Sequence, residues 1–194
     1  VFLAAASAHA GPAFTYADIA AGKFAQKSVW GINSMADGEH YTILTEGDVV
    51  KFAYASGQAK DTLFSASRAG MEAGMISGYE FSADESKIML TVDSKPLYRH
   101  SAYSSYVVYD IGTGEMSDLN ASDSLRYAVF SPAGDKAAYV LGNDIYIRDI
   151  TTLSDVRVTK DGRLNHIING MPDWVYEEEW GIDNALRWSS DGTR

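Results

Sequence analysis

From Leu125 onward, short apolar runs alternate with turn residues. Leu125 to Phe130 is followed by Ser131-Pro132-Ala133-Gly134, then by the run Lys136 to Leu141 and the pair Gly142-Asn143. In the next segment Ile145, Ile147 and Asp149 alternate with Tyr146, Arg148 and Ile150, and Asp155 to Thr159 alternates polar with apolar before Lys160-Asp161-Gly162. Runs of this length, period 2 and bounded by Gly, Pro, Asn and Asp, predict four short strands joined by tight turns. The preceding stretch repeats the plan, with strands over Lys87–Val92 and Ser104–Ile111 and a turn at Gly112-Thr113-Gly114. An earlier one places strands over His40–Thr45 and Asp48–Tyr54.

The turns themselves repeat. Phe81-Ser82-Ala83-Asp84-Glu85-Ser86-Lys87, Phe130-Ser131-Pro132-Ala133-Gly134-Asp135-Lys136 and Trp188-Ser189-Ser190-Asp191-Gly192-Thr193-Arg194 share an apolar-Ser start and a basic end. Met35-Ala36-Asp37-Gly38-Glu39-His40 is a weaker copy, and the spacings from Met35 to Ser82, Ser131 and Ser189 are 47, 49 and 58. A period near 50 built of short strands predicts an all-β fold, a partial β-propeller of about three four-stranded blades plus the start of a fourth. A complete β-sandwich would leave the regular period unexplained.

The last spacing is longer by about ten residues, and the excess falls between Asn165 and Asp183. There Pro172 and Asp173 have the character of a helix start and Gly181 of a helix stop, so a short helical acidic insertion is expected. Asp173, Glu177, Glu178, Glu179 and Asp183 are interspersed with Trp174, Tyr176 and Trp180, and no base intervenes. Neighbouring carboxylates on a helical turn lie about 100° apart, so two of them reach one small cation. Crowding like charges raises a pKa unless a cation compensates, and an ammonium group would do so. A solvated acidic helix end is the plain alternative; the flanking aromatics weigh against it.

Composition narrows the classes. The chain of 194 residues is 46% hydrophobic, carries a net charge of −10 and contains no cysteine. The acidic balance argues against a nucleic-acid partner, and disulfides, thiolate chemistry and Cys-ligated metals are excluded within the chain. Residues 1–10 run apolar, then small, and end in Ala8-His9-Ala10, the form of a signal-peptide remnant, with residues 11–194 then forming the N-terminal part of a propeller in a secreted or periplasmic protein. No later stretch is apolar for long enough to span a membrane as a helix.

No Gly-x-Ser-x-Gly elbow is present, since Gly74-Met75-Ile76-Ser77-Gly78 has the wrong spacing. His40, His100 and His166 are dispersed and are read as surface or blade-edge residues. No phosphate loop, zinc pair or calcium loop is found, so no catalytic residue, metal or cofactor is assigned.

Asp173-Trp174-Val175-Tyr176-Glu177-Glu178-Glu179 resembles the double-Glu motif of the dipeptidyl peptidase IV family. The resemblance extends to Tyr98-Arg99-His100-Ser101, Tyr106 to Asp110, Phe130-Ser131-Pro132 and Asn143-Asp144-Ile145-Tyr146, and so over most of the chain from about Ala17. It implies that Glu178 and Glu179 bind the free N-terminal ammonium of a peptide substrate. It further implies an eight-bladed propeller paired with an α/β-hydrolase domain, outside this chain, that removes X-Pro or X-Ala dipeptides, in a full-length homodimer. The family also uses a propeller Arg at the substrate carbonyl. In the stretch taken to correspond, about Ser117 to Arg126, Arg126 is the one base; it reads equally as a strand residue and is given no role. A non-catalytic propeller scaffold and a relative of the prolyl oligopeptidases or acylaminoacyl peptidases are the alternatives.

Overall fold

A computed structural model of the chain describes residues 14–26, 28 and 30–194. The expected signal-peptide remnant, residues 1–10, lies outside the described residues. The chain divides into two compact units, Val1–Trp30 and Gly31–Arg194. In the first, helix α1 (Tyr16–Ala20) is closed by a capping box between Thr15 and Asp18, and Phe14 meets Phe24 edge to face at 5.9 Å.

The second unit holds three four-stranded antiparallel sheets, each a meander in chain order. They comprise β1 (Asn33–Ser34), β2 (His40–Thr45), β3 (Asp48–Ala53) and β4 (Ala59–Ser65); β5 (Ile76–Phe81), β6 (Lys87–Pro96), β7 (Ala102–Asp110) and β8 (Met116–Asp118); and β9 (Arg126–Phe130), β10 (Lys136–Leu141), β11 (Asp144–Asp149) and β12 (Asp155–Arg157). This is the partial propeller expected from the repeat. The inner strands are apolar at successive positions because both of their faces are covered. Along β6, Ile88, Leu90 and Val92 point into a core shared with Val49 and Phe64 of the first sheet, while Met89 points into a core shared with Phe130 and Tyr139 of the third. Along β10, Ala137 and Tyr139 belong to that second core, and Ala138 and Val140 pack instead against Leu186 and Trp188. Alternate side chains on a strand leave by opposite faces, so a strand sandwiched between two sheets is apolar throughout.

The repeated turn is one hydrogen-bonded device. The amide of Ser82 donates to the Lys87 carbonyl (3.0 Å), that of Ser131 to Lys136 (2.8 Å) and that of Ser189 to Arg194 (2.7 Å). Each serine Oγ accepts from the amide five residues on, at 3.0, 3.1 and 2.9 Å, and donates to an aspartate inside the turn: Asp84, Asp135 or Asp191. Met35 keeps the backbone bond to His40 (3.0 Å) without a hydroxyl, and Asp37 accepts from the Glu39 and His40 amides instead.

Antiparallel meanders put the loop between second and third strands at the same end as the link to the next sheet. Two departures from the repeat meet at that end. The β6–β7 hairpin is longer than expected, running to Pro96 and resuming at Ala102, with Arg99 at its tip. The other is the segment after β12. Its base is gathered by Asp144, 1% exposed, which accepts from Thr159 Oγ1 (2.7 Å), the Gly162 amide (3.0 Å), Asn169 Nδ2 (3.2 Å) and Arg157. A Cβ at Gly162 would lie 2.4 Å from the Asn143 carbonyl oxygen, so only glycine allows this approach.

Two outcomes test this account. Leu90, fully buried between the first and second sheets, should cost about 2–5 kcal/mol when changed to Ala, read from urea unfolding of the protein. The turn carboxylates make stability pH-dependent. The hydroxyl of Ser82 holds Asp84, that of Thr159 holds Asp144 and that of Ser189 holds Asp191, each at a pKa of about 2, below the ordinary 3.8. Because the folded values are depressed, this stabilisation is complete above the unfolded pKa and is lost as pH falls through about 2. The melting temperature should fall steeply between about pH 4 and pH 2. Asp144→Asn should lower it at pH 7 and flatten that acid limb; an unchanged limb would contradict the assignment.

Candidate functional site

The insertion folds as helix α2 (Trp174–Trp180), with both ends as expected from the sequence. Asp173 is the N-cap, its Oδ1 accepting from the amides of Val175 (3.0 Å) and Tyr176 (3.1 Å). Gly181 ends it in the left-handed region at φ 62°, a conformation that glycine adopts without strain. The Tyr176 and Trp180 rings, one turn apart, meet edge to face at 4.7 Å.

What α2 buries runs against simple polarity. Trp174 is 52% exposed and Trp180 62%, whereas Glu177 is 2% exposed. The Glu177 Oε1 atom accepts two backbone hydrogen bonds from the tip of the β6–β7 hairpin, from His100 N–H (2.8 Å) and Ser101 N–H (3.1 Å). Burial pushes this carboxyl up. The Ser101 side chain, the two amides and the Arg126 guanidinium outweigh it, and the pKa settles below the ordinary 4.5. Glu177 is therefore a buried carboxylate that fastens the helix to the hairpin.

Glu178 and Glu179 face differently. Glu178 is partly buried, and its Oε2 lies 3.3 Å from the Nε of Arg99, whose own side chain is 73% exposed. Glu179 is exposed and makes no ion pair among the described residues. The hairpin tip that carries Arg99 is a tight turn, in which Leu97 N–H donates to the Ser101 carbonyl at 2.9 Å. The Glu178 carboxylate and the Arg99 guanidinium thus stand together at the end of the sheets where both irregular segments emerge, with Glu179 the next residue of α2.

The Arg beside the glutamates is Arg99 and not Arg126. The stretch 117–126, taken from the resemblance to hold a site Arg, runs through β8 and up to the start of β9. Arg126 is buried, with its guanidinium over the rings of Tyr127 (4.6 Å) and Tyr103 (5.8 Å), behind Glu177. The signal for Arg99 lay in the length of the β6–β7 loop, which the other two hairpins cross in two residues. His40 Nδ1 pairs with Asp37 at 2.7 Å, and His100 and His166 are exposed, so the three histidines are as dispersed as expected. Among the described residues no group of His, Asp and Glu is arranged to hold a metal ion, and no helix is long and apolar enough to cross a membrane.

Known proteins carry the same arrangement of sequence. The family model for the dipeptidyl peptidase IV (DPP IV) N-terminal region matches residues 82–194. Over 182 residues the chain is 34% identical to prolyl endopeptidase FAP of Homo sapiens, a match covering 93% of this chain and 23% of that protein. It is 38% identical over 117 residues to dipeptidyl peptidase 4 of Sus scrofa, covering 59% and 15%. The crystal structure of Porphyromonas gingivalis dipeptidyl peptidase 4 superposes with a TM-score of 0.80 at 37% identity, over 92% of this chain and 26% of that one. The chain spans about a quarter or less of the length of these relatives. With the family model matching more than half of the chain and that structure superposing over 92% of it, the chain belongs to the dipeptidyl peptidase IV N-terminal region family.

Proposed function

We propose that this chain is the substrate-anchoring part of the propeller of a secreted or periplasmic serine exopeptidase that removes X-Pro or X-Ala dipeptides from peptide N-termini. The observation that carries the reading is the juxtaposition of Glu178 on α2 with Arg99 on the β6–β7 tip. A free peptide N-terminus presents an ammonium and, three bonds from its nitrogen, a carbonyl oxygen. Glu178 and Glu179 suit the ammonium as charge-assisted acceptors, and Arg99 suits the carbonyl as a fixed donor. Arg99 lies 3.3 Å from Glu178 and offsets one of the two adjacent negative charges, while Glu179 makes no ion pair among the described residues.

In this mechanism the chain breaks no bond. Anchoring the amine sets the distance from the N-terminus to the scissile peptide, so that a nucleophile held in another domain meets the second peptide bond. Such positioning converts binding energy into rate by fixing a near-attack geometry. The nucleophile, its base and the oxyanion donors would follow the acyl-transfer pattern of a Ser-His-Asp triad on an α/β-hydrolase fold.

A second reading has its own support: a relative aligned over 93% of this chain carries the name prolyl endopeptidase. An endopeptidase cleaves within chains and has no need of the free amine.

Substrate chemistry separates the two readings. With the exopeptidase, an N-acetylated X-Pro reporter should be turned over far more slowly than the free-amine reporter; equal kcat/KM would favour the endopeptidase. In the full-length enzyme Glu178→Gln and Glu179→Gln should each cost about 2–5 kcal/mol in transition-state binding, roughly 30-fold to several thousand-fold in kcat/KM. Arg99→Ala should cost about 1.5–3 kcal/mol, on the order of 10- to 100-fold, as expected for losing a charged donor. Melting temperatures should stay near wild type in all three, since Glu179 and Arg99 are exposed.

A further inference from the structure

Glu177 lies beside the proposed anchoring pair but faces away from it. It spends its carboxylate on the amides of His100 and Ser101, the two residues that follow Arg99. Because a turn of chain is short and stiff, fixing the amides of residues 100 and 101 fixes the Cα of residue 99 and the direction in which its side chain leaves.

The opposite side of this carboxylate is built with equal care. Leu125 and Ser104 exchange backbone hydrogen bonds of 3.0 and 3.1 Å, stitching the start of β9 to the strand just below the hairpin tip. Immediately after that stitch β9 carries a bulge: Ala138 pairs with Val129, but Val140 pairs with Arg126, leaving one extra residue on β9. Within the bulge Tyr127 adopts φ 54°, a left-handed conformation that is rare and strained for an aromatic residue. The result is that Arg126 turns inward, 6% exposed, against Tyr103 and Tyr127, and its charge bears on Glu177. Arg126 Nε, buried here, has no hydrogen-bond partner among the described residues. A buried cation without its own carboxylate partner, beside a buried carboxylate that bonds two backbone amides, is costly as packing alone. It is explained by what the carboxylate holds.

We infer that Glu177 is a positioning residue for the anchoring site: it clamps the Arg99 turn to α2, with Arg126 on the β9 bulge supplying the opposing charge. The clamp sets the relation of Arg99 to Glu178, because both ends of that pair hang from it. Within the Glu177-Glu178-Glu179 run the labour is divided: the first residue holds the hairpin and the other two face the substrate. This inference rests on the anchoring function proposed above.

The test uses the full-length enzyme and two independent readouts. Amide hydrogen exchange at residues 100 and 101 reads the clamp directly. Exchange there should be faster in Glu177→Ala, close to wild type in Glu177→Gln, whose side-chain carbonyl still accepts from both amides, and close to wild type in Glu178→Gln. Unchanged protection in Glu177→Ala overturns the clamp. A double-mutant cycle reads the positioning. Glu177→Ala should lower kcat/KM for a free-amine X-Pro reporter on the order of 10- to 100-fold, the scale for a misplaced binding group. In an Arg99→Ala background the same change should cost clearly less, because one of the two groups whose relation it sets is gone. Equal losses in the two backgrounds overturn positioning and leave a general structural role. If Arg99→Ala and Glu178→Gln are themselves neutral, the anchoring function falls, while faster exchange in Glu177→Ala would still report the clamp. Should Glu177→Ala fail to fold, Arg126→Met carries both readouts: it removes the opposing charge while keeping an apolar stem against Tyr103 and Tyr127.

Discussion

The middle strands of these sheets are apolar on both faces, and a two-faced apolar strand is stable only when a neighbouring sheet lies against each side. Ile88, Leu90 and Met89 are successive residues of one strand, yet they enter two different cores. Cross-sheet burial of this kind makes the stack a series of mutually dependent layers, in which each sheet supplies half of the next one's core. It also forces the chain to keep to a meander, since only short antiparallel connections return it to the same layer. Tight Ser-Asp turns serve that need at one end of the strands, and everything irregular is pushed to the other end.

Consequently the two segments that break the repeat meet. The extended hairpin and the acidic helix are distant in sequence, but the meander delivers both to one edge of adjacent layers. A helix as short as α2 has too few internal hydrogen bonds to persist alone. It is held by a capping aspartate, a left-handed glycine, the Asp144 hub at the base of its loop, and the Glu177 carboxylate on the hairpin. Three of these four anchors are polar. Polar anchors are directional, so they fix orientation where apolar contact would fix only proximity. The exposed Trp174 and Trp180 indicate that α2 is not positioned by burying its largest apolar groups.

This arrangement gives adjacent glutamates distinct chemical lives. Glu177, turned inward, is desolvated and accepts two backbone amides on one carboxylate oxygen; Glu178, one position on, meets a single exposed guanidinium; Glu179 meets solvent. Helical geometry alone separates them by about 100° each. The surrounding layers then convert that angular difference into a division between structure and recognition.

Much of this was written locally in the chain. Strand positions, the period near 50, the Ser-Asp turns, and the Asp173 and Gly181 boundaries of α2 all follow from interactions within a few residues, and such interactions are legible in order along a sequence. The seven residues from Asp173 to Glu179 likewise marked the acidic site by resemblance. What only the tertiary structure decided were pairings across the layers: that Arg99 and not Arg126 stands beside Glu178, that Glu177 is buried against His100 and Ser101, and that β6 and β7 extend past their expected ends. The length of the β6–β7 loop and the resemblance at Tyr98-Arg99-His100-Ser101 mark the segment that carries Arg99, but nothing local says whether Arg99 or Arg126 faces the glutamates. Their fates differ because a bulge at Tyr127 turns one inward and a hairpin tip carries the other outward, and both depend on which strands the sheet brings side by side.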